Sequence, residues 1–446
     1  MIANSSYIDI LQKQVRHLSD PEQRLSLFRQ LNPQVTNLGT AENVLIFDLF
    51  ESIFQDSSSF AVDNTKYSQP FYGEESVREM TASLLSETFQ HQLDPNDFSG
   101  VSGASAALEC LAFALFSPGD TALIPTPYWQ GFQWCFEQRP GMTLIPVDLS
   151  PNAFELTLEA VQEAYNKAEP KPKVLLLTNP HNPLGINYEQ SLLEELYAWV
   201  LNSTQMHIIS DELYCHSQID QPGADFISAF ALNAYNIDPD RVHIVWGFAK
   251  DFGLSGFKAG FVITTCETVH NHIRSNSTMG ISDRYGWFSP FDSLKNFMLG
   301  NLLGADNEQL VRNAMAEYKQ RLTNAFNTIN PLFDQAPDII PYAPTRAAQF
   351  FWLDLRAYLD RVPPNMNFSL KNIELLQNPE SDDAENALLA YLAEEAFVEL
   401  LAGQTLSCVE PGFYRLCFTC EPTCDVKAAV NRMITALEAL PPAPSK

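Results

Sequence analysis

Short apolar runs alternate through the middle of the chain with longer stretches in which apolar positions recur every three or four residues. The short runs predict strands at Thr121–Pro125, Val174–Thr178, His207–Ser210, Val242–Trp246 and Phe261–Thr264. Most are rich in Val, Leu and Ile, as strands covered on both faces are. The longer period predicts helices: Ser76–Phe89 gathers Val77, Met80, Leu84 and Leu85 on one side, and Tyr188–Leu201 does so with Leu192, Leu193, Leu196 and Val200. Such alternation is the pattern of an α/β domain, a mostly parallel sheet with helices on both faces. From about Asn301 a long helix-like stretch takes over, followed by separate strands at Phe350–Leu355 and Tyr414–Thr419. Between those strands, Pro363–Ala384 is rich in Pro, Asn and Asp and reads as an irregular surface segment before a helix from Glu385. The expected architecture is a large α/β domain plus a smaller α+β lobe made from both chain ends. Its expected division is 1–65 as an arm and part of the small lobe, 66–325 as the large domain and 326–446 as the rest of the small lobe.

Composition narrows the partners. Acidic residues number 54 against 27 basic ones, a net charge of −27, and no basic cluster stands out. Nucleic acid and anionic membrane surfaces, which need concentrated positive charge, are not expected partners. No apolar run reaches transmembrane length, and Met1–Asp20 is polar where a secretory signal needs an apolar core, so a soluble cytoplasmic protein is expected. The cysteines are scattered, mostly within apolar runs, and read as free buried thiols. Cys417, Cys420 and Cys424 lie close in sequence, but no histidine follows at ligand spacing and a strand pattern crosses the first two; no metal is expected.

In an open α/β sheet a ligand sits beyond the carboxyl ends of the strands. Three predicted strands lead into polar segments: Asn179-Pro180-His181-Asn182-Pro183-Leu184-Gly185, Asp211-Glu212-Leu213-Tyr214 and Gly247-Phe248-Ala249-Lys250. A lysine amine can join an aldehyde cofactor and act as a base when its environment lowers its pKa. A lone loop lysine is otherwise a surface residue. Asp211, at the end of a buried strand, needs a cation or strong donor, which a protonated ring nitrogen supplies; it could equally cap a following helix. Asn182 and Tyr214 suit a ring oxygen, although Asn-Pro also marks turns and a Tyr also packs. Upstream, Val101-Ser102-Gly103-Ala104-Ser105-Ala106-Ala107 leads into a helix expected over Leu108–Phe116; its small residues leave N–H groups open to phosphate, or allow close packing. Trp129 offers a flat face, for a ring or for the core. Arg415, inside an apolar strand, needs an anion, either a substrate carboxylate or an internal acid such as Glu410.

The chain resembles the fold-type I pyridoxal 5′-phosphate (PLP) enzymes, within them the class I/II aminotransferases, and is most similar to the 1-aminocyclopropane-1-carboxylate (ACC) synthase branch. The resemblance runs from Leu38-Gly39-Thr40-Ala41-Glu42-Asn43 through Pro125–Phe132, Thr178–Gly185 and Lys250–Phe257 to Glu410–Phe418. It implies that Lys250 binds the cofactor and then removes a substrate proton, and that Asp211 pairs with the ring nitrogen. It further implies Asn182 and Tyr214 on the ring oxygen, Trp129 against the ring, Ala104 and Ser105 on phosphate, and Glu42 and Arg415 on the substrate. A homodimer with active sites at its interface follows from the same likeness. Thr40 stands in place of the motif's Leu, Gly247 and Ala249 in place of two usual Ser residues, and Lys258 in place of a phosphate-clamping Arg. The interface tyrosine is Tyr72 or Tyr67, flanking Phe71. Ala348 and Gln349 replace a Gly-containing turn beside the pocket. The expected activity is transformation of an α-amino acid at Cα alone or at Cα and Cγ, by amino transfer or by ACC synthase-like elimination and cyclisation on S-adenosylmethionine. A specialised cyclase or γ-replacement enzyme and a non-catalytic relative are the alternatives.

Overall fold

A computed structural model describes residues 34–55, 60–66, 70–150, 153–274, 291–362 and 384–442. A short strand, β1 (Thr36–Asn37), precedes the main sheet of β2 (Phe98–Val101), β3 (Thr121–Thr126), β4 (Thr143–Asp148), β5 (Val174–Thr178), β6 (His207–Asp211), β7 (Val242–Gly247) and β8 (Gly260–Ile263). These seven lie in the order β2-β8-β7-β6-β5-β3-β4. Every pairing is parallel except those of β8, which runs against β7 and β2. Strands β3, β5 and β7 are buried at every position, in keeping with their largely apolar sequences. The register sets Thr178 opposite Asp211 and Asp211 opposite Val245, so β5, β6 and β7 deliver their polar exits at one end of the sheet.

A second, antiparallel sheet has the order β12-β13-β10-β9, built from β9 (Tyr342–Ala343), β10 (Phe350–Asp354), β12 (Leu401–Ala402) and β13 (Phe413–Cys417). Strand β1 pairs in parallel with β11 (Val398–Glu399), so the first described residues join the C-terminal part of the chain. Helix α1 (Glu308–Asp334) buries Val311, Ala314, Tyr318, Leu322, Ala325, Phe326, Ile329 and Phe333 at three- and four-residue intervals. Phe326 stacks on Phe351 of β10 with ring centroids 5.6 Å apart. This stripe fastens the long helix to the smaller sheet.

Several boundaries differ from expectation. The helix expected at Leu108 begins at Ala104, because the small residues after Gly103 are themselves helical. The long stretch from Asn301 is two helices, Ser293–Leu303 and Glu308–Asp334, with Gly304 ending the first. The final strand stops at Cys417, where the chain bends through 418–421. Strands β2 and β4 were not expected. The segment before the helix Ala384–Tyr391 and the stretch Met1–Asp20 lie outside the described residues.

Candidate active site

Lys250 follows β7 in a tight turn in which Gly253 N–H donates to its carbonyl at 3.2 Å. Its Nζ donates to the carbonyl of Ala41 at 2.6 Å, and Asn43 Nδ2 donates to the Lys250 carbonyl at 2.8 Å. Burial pushes the amine down to about 8; the Glu42 carboxylate opposes that shift, and the Arg415 and Lys258 charges reinforce it. Lys250, Glu42, Arg415 and Lys258 therefore share one electrostatic neighbourhood, although more than 200 positions separate the first two.

Asp211 closes β6 and is buried. No helix follows it; the carboxylate instead accepts from Leu213 N–H at 3.3 Å, within a turn. Burial pushes its carboxyl up to about 7, against that hydrogen bond and the charge of Lys250. Among the described residues no salt bridge reaches Asp211, so its weakly solvated oxygens call for a proton-bearing partner. Asp211 and Lys250 lie close enough to feel each other's charge.

Arg415, on β13, donates from one terminal nitrogen to Asn182 Oδ1 at 2.8 Å and from the other to the Gly39 carbonyl at 2.6 Å. The guanidinium lies 4.6 Å from the centre of the Phe350 ring, and its Nε is buried with no partner. Among the described residues it meets no carboxylate: Glu410 pairs with Arg356 on the surface. A desolvated guanidinium with only neutral acceptors is a receptor for an anion. Tyr214 is buried beside it, edge-on to Phe350 at 5.4 Å, and burial pushes its phenol up. Asn182 reaches Arg415 because Gly185 turns at φ +69° against β10, where a Cβ would stand 2.6 Å from the Phe350 carbonyl.

The helix Ala104–Leu115 begins after Gly103, and its first N–H groups have no acceptor within the helix. Ser105 lies exposed in this first turn, and its carbonyl accepts from the Cys135 thiol at 3.4 Å. The Lys258 backbone passes close by, its Cα 3.6 Å from where a Gly103 Cβ would stand. Gly247 faces Gly260 across β7 and β8, and a Cβ there would sit 2.8 Å from the Ala259 carbonyl. A serine at that position would force β8 to shift. Trp129 folds its indole over Gly131, edge-on to Phe132 at 5.9 Å and to Trp134 at 6.2 Å. Tyr72 is held between two guanidiniums, with Arg274 4.5 Å and Arg78 5.2 Å from its ring centre. Tyr67 lies outside the described residues.

The fold gives backbone and bracing roles to segments whose sequence did not announce them. Residues 37–44 form a strap: Cys417 N–H donates to the Leu38 carbonyl, Arg415 to Gly39, Lys250 to Ala41 and the Thr419 hydroxyl to Glu42, while Val44 N–H donates to Thr419. Beneath Lys250, Asp251 accepts from Ser217 Oγ at 2.5 Å and from His216 N–H at 2.9 Å. Gln349 Nε2 donates to Tyr318 at 2.9 Å and reaches the Lys250 carbonyl at 3.4 Å. Cys215 and His216 come within metal-ligating reach of Asp251, but both Asp251 oxygens are already hydrogen-bonded, so the carboxylate acts as a brace. The acid directly after Lys250 was the sequence's only hint of that brace.

An amine of lowered pKa, an under-partnered buried carboxylate, an open helix N-terminus and a buried guanidinium match the functional groups of PLP and of an amino acid's carboxylate. A family profile described as aminotransferase class I and II matches residues 33–433. A 1-aminocyclopropane-1-carboxylate synthase of Vigna radiata var. radiata is 29% identical over 398 residues, covering 85% of this chain and 100% of its own length. A Mus musculus protein named "probable inactive 1-aminocyclopropane-1-carboxylate synthase-like protein 2" is 29% identical over 90% of this chain and 65% of its own length. The aspartate aminotransferase of Rhizobium meliloti shares the fold at a TM-score of 0.71 and 18% identity, over 95% of this chain and 97% of its own.

Proposed function

This chain belongs to the aminotransferase class I and II family, whose members depend on PLP, and we propose that it is an enzyme acting at Cα of an α-amino acid, in the manner of the ACC synthases. When bound, the cofactor supplies an aldehyde to hold the amino group and a ring to accept electrons from Cα. Lys250 holds the aldehyde and, once released, takes the Cα proton; an amine near pKa 8 is matched to that work. Asp211 keeps the ring nitrogen protonated, and Asn182 and Tyr214 donate to the ring oxygen. Trp129 covers the ring. Ala104, Ser105 and Lys258 take the phosphate, and Tyr72 serves the site of a second subunit. Arg415 fixes the substrate carboxylate while Glu42 stands beside the reacting amine. The same reading divides the chain at 65/66 and 325/326.

The observation that carries this reading is Arg415, buried without a carboxylate and sharing one neighbourhood with Lys250. Kinship with the synthases, and Glu42 beside Lys250, favour loss of a Cγ substituent, with S-adenosylmethionine as the substrate to test first. Purified protein given PLP should show the absorption band of a lysine-bound aldehyde, and Lys250→Ala should lack it. Release of methylthioadenosine from S-adenosylmethionine supports the elimination branch. Amino transfer to a 2-oxo acid would replace it with the aminotransferase reading. Absence of the band in the wild type would leave a non-catalytic protein.

A further inference from the structure

The peptide that joins Lys250 to Asp251 is held on both sides by one chain of side chains. Ser217 Oγ lies 2.5 Å from Asp251 Oδ1 and 2.7 Å from the Tyr318 hydroxyl, and Gln349 Nε2 lies 2.9 Å from that hydroxyl. With the carboxylate as acceptor, the single Ser217 proton goes to Asp251; the Tyr318 proton then goes to Ser217, and the Tyr318 oxygen accepts from Gln349. Every bond points toward Asp251, and that order fixes which end of the Gln349 amide faces Tyr318. Gln349 Nε2 also lies 3.4 Å from Ser217 Oγ and 3.4 Å from the Lys250 carbonyl, where Asn43 Nδ2 donates at 2.8 Å. The chain thus closes on the peptide from which it starts. Its members come from separate parts of the sequence: Ser217 follows β6, Tyr318 belongs to α1 and Gln349 precedes β10. All of them, with Asp251, are fully buried. Such a network is a poor way merely to fill a core. Among the described residues Gln349 Oε1 finds no donor, and a leucine would occupy nearly the same space without a buried unpaired oxygen. A buried polar chain that costs stability and ends on one peptide has its use in fixing that peptide.

We propose that Ser217, Tyr318 and Gln349 are positioning residues, which hold the Lys250–Asp251 peptide and so fix the direction in which the Lys250 side chain leaves the main chain toward a carbonyl compound. They act through the backbone rather than on the reacting atoms. Gln349 is itself anchored, since its carbonyl accepts from Phe418 N–H at 3.0 Å, and Ala348 N–H donates to the Ser217 carbonyl at 2.8 Å. The ring therefore ties the start of β10, in the smaller sheet, to the turn that follows β7 in the main one. Breaking any one bond opens the ring, so its members work as a unit and their losses should not multiply.

The hydrogen-bonded ring stands by itself; its use in placing the amine rests on the proposed function. Hydrogen exchange read by mass spectrometry, on the full-length protein without added cofactor, tests the ring. The Gly253 N–H, bonded to the Lys250 carbonyl, and the His216 N–H, bonded to Asp251, should exchange about five- to tenfold faster in Tyr318→Phe and in Gln349→Leu, each of which breaks the chain. Tyr342→Phe deletes a hydroxyl bonded to Asn330 and Asp334 of the same helix and should leave both amides as in wild type. Unchanged exchange in the first two variants, or acceleration that is equal throughout the main sheet, overturns the ring. PLP capture by the apoprotein, followed as the absorption band of the lysine-bound aldehyde, tests the placing. Both variants should slow it by a similar factor, and the double variant no more than the slower single one. Gln349→Glu gives a signature that lost packing does not. Its protonated carboxyl donates to Tyr318 as the amide does and its carboxylate cannot, so capture should match wild type at low pH and fall behind as pH rises. Lys250, Asp251, Tyr318 and Cys417 are the titratable groups around that position among the described residues, and wild type shares them, so the ratio of the two rates isolates the new carboxyl. Faster exchange with unaltered capture, or losses that multiply in the double variant, overturns the positioning role. A wild type that never shows the band overturns the functional reading and the positioning role with it, while the exchange result still decides the ring.

Discussion

Lys250, Asp211 and Arg415, the three side chains on which the proposed chemistry rests, each carry a charge that burial disfavours. The Lys250 amine, brought down to about 8 by burial and partly sustained by Glu42, should capture PLP in the apoprotein with a rate that rises through that pH. Glu42→Gln removes a charge that favours the ammonium, so the midpoint should move to lower pH, by on the order of one unit; an unmoved midpoint would detach Glu42 from the site. Asp211 is raised from 3.8 to about 7, so the folded apoprotein binds its proton more tightly than the unfolded chain does. Its contribution to stability is therefore lost as pH rises between those values. Asp211→Asn should make the apoprotein more stable relative to wild type at pH 7.5 than at pH 4, by a few kcal/mol at most, while weakening cofactor retention. Urea unfolding at the two pH values, beside a cofactor titration, reads both effects. For Arg415→Lys, loss of the planar fork should cost about 1.5–3 kcal/mol, roughly 10- to 100-fold in kcat/KM, because one ammonium cannot hold a carboxylate as well as Asn182 and Gly39.

At the scale of the elements, Gly247 separates what the family's usual serine would do from what this sheet permits. Its Cβ would meet the Ala259 carbonyl at 2.8 Å, so Gly247→Ser should cost about 1–3 kcal/mol of stability and should not tighten PLP binding. Tighter binding without destabilisation would show that β8 can yield. Visibility in the sequence follows similar lines. The central strands were legible because burial on both faces leaves most of them rich in Val, Leu and Ile. The two unexpected strands are the sheet's edges: β2 is four residues long with Ser and Gly at its centre, and β4 mixes buried and exposed positions, so neither makes an apolar run. Lys250, Asp211 and Arg415 stood out as charges in apolar contexts. The segment Leu38–Asn43 was visible as a motif but its work as a strap was not, because it acts through the carbonyls of Gly39, Ala41 and Glu42, and every residue type has a carbonyl. Most of the brace under Lys250 was silent too, since Ser217 and Tyr318 meet across 101 positions.

For the whole molecule, the question is whether one chain makes a working site. The helix Ser293–Leu303 packs against the turn Val62–Thr65 and the helix Glu51–Gln55, and this region leaves Val62 81% and Leu294 52% exposed. Phe47, 51% exposed, lies in the turn Val44–Leu49, which begins one residue after Asn43, the residue that holds the Lys250 carbonyl. Apolar side chains of this size left open in one region mark a surface that another chain covers. A second copy is the expected cover, given the homodimer that the family likeness implies. Light scattering should then give about 100 kDa, twice the 50.0 kDa of the chain. Val62→Asp and Leu294→Asp should shift the mass toward the monomer, because an aspartate that is harmless in water is costly once desolvated in an interface. The turn that carries Phe47 continues directly into the strap, so monomers should also lose cofactor faster. A wild type that runs at 50.0 kDa with full activity would show that the site needs no second chain.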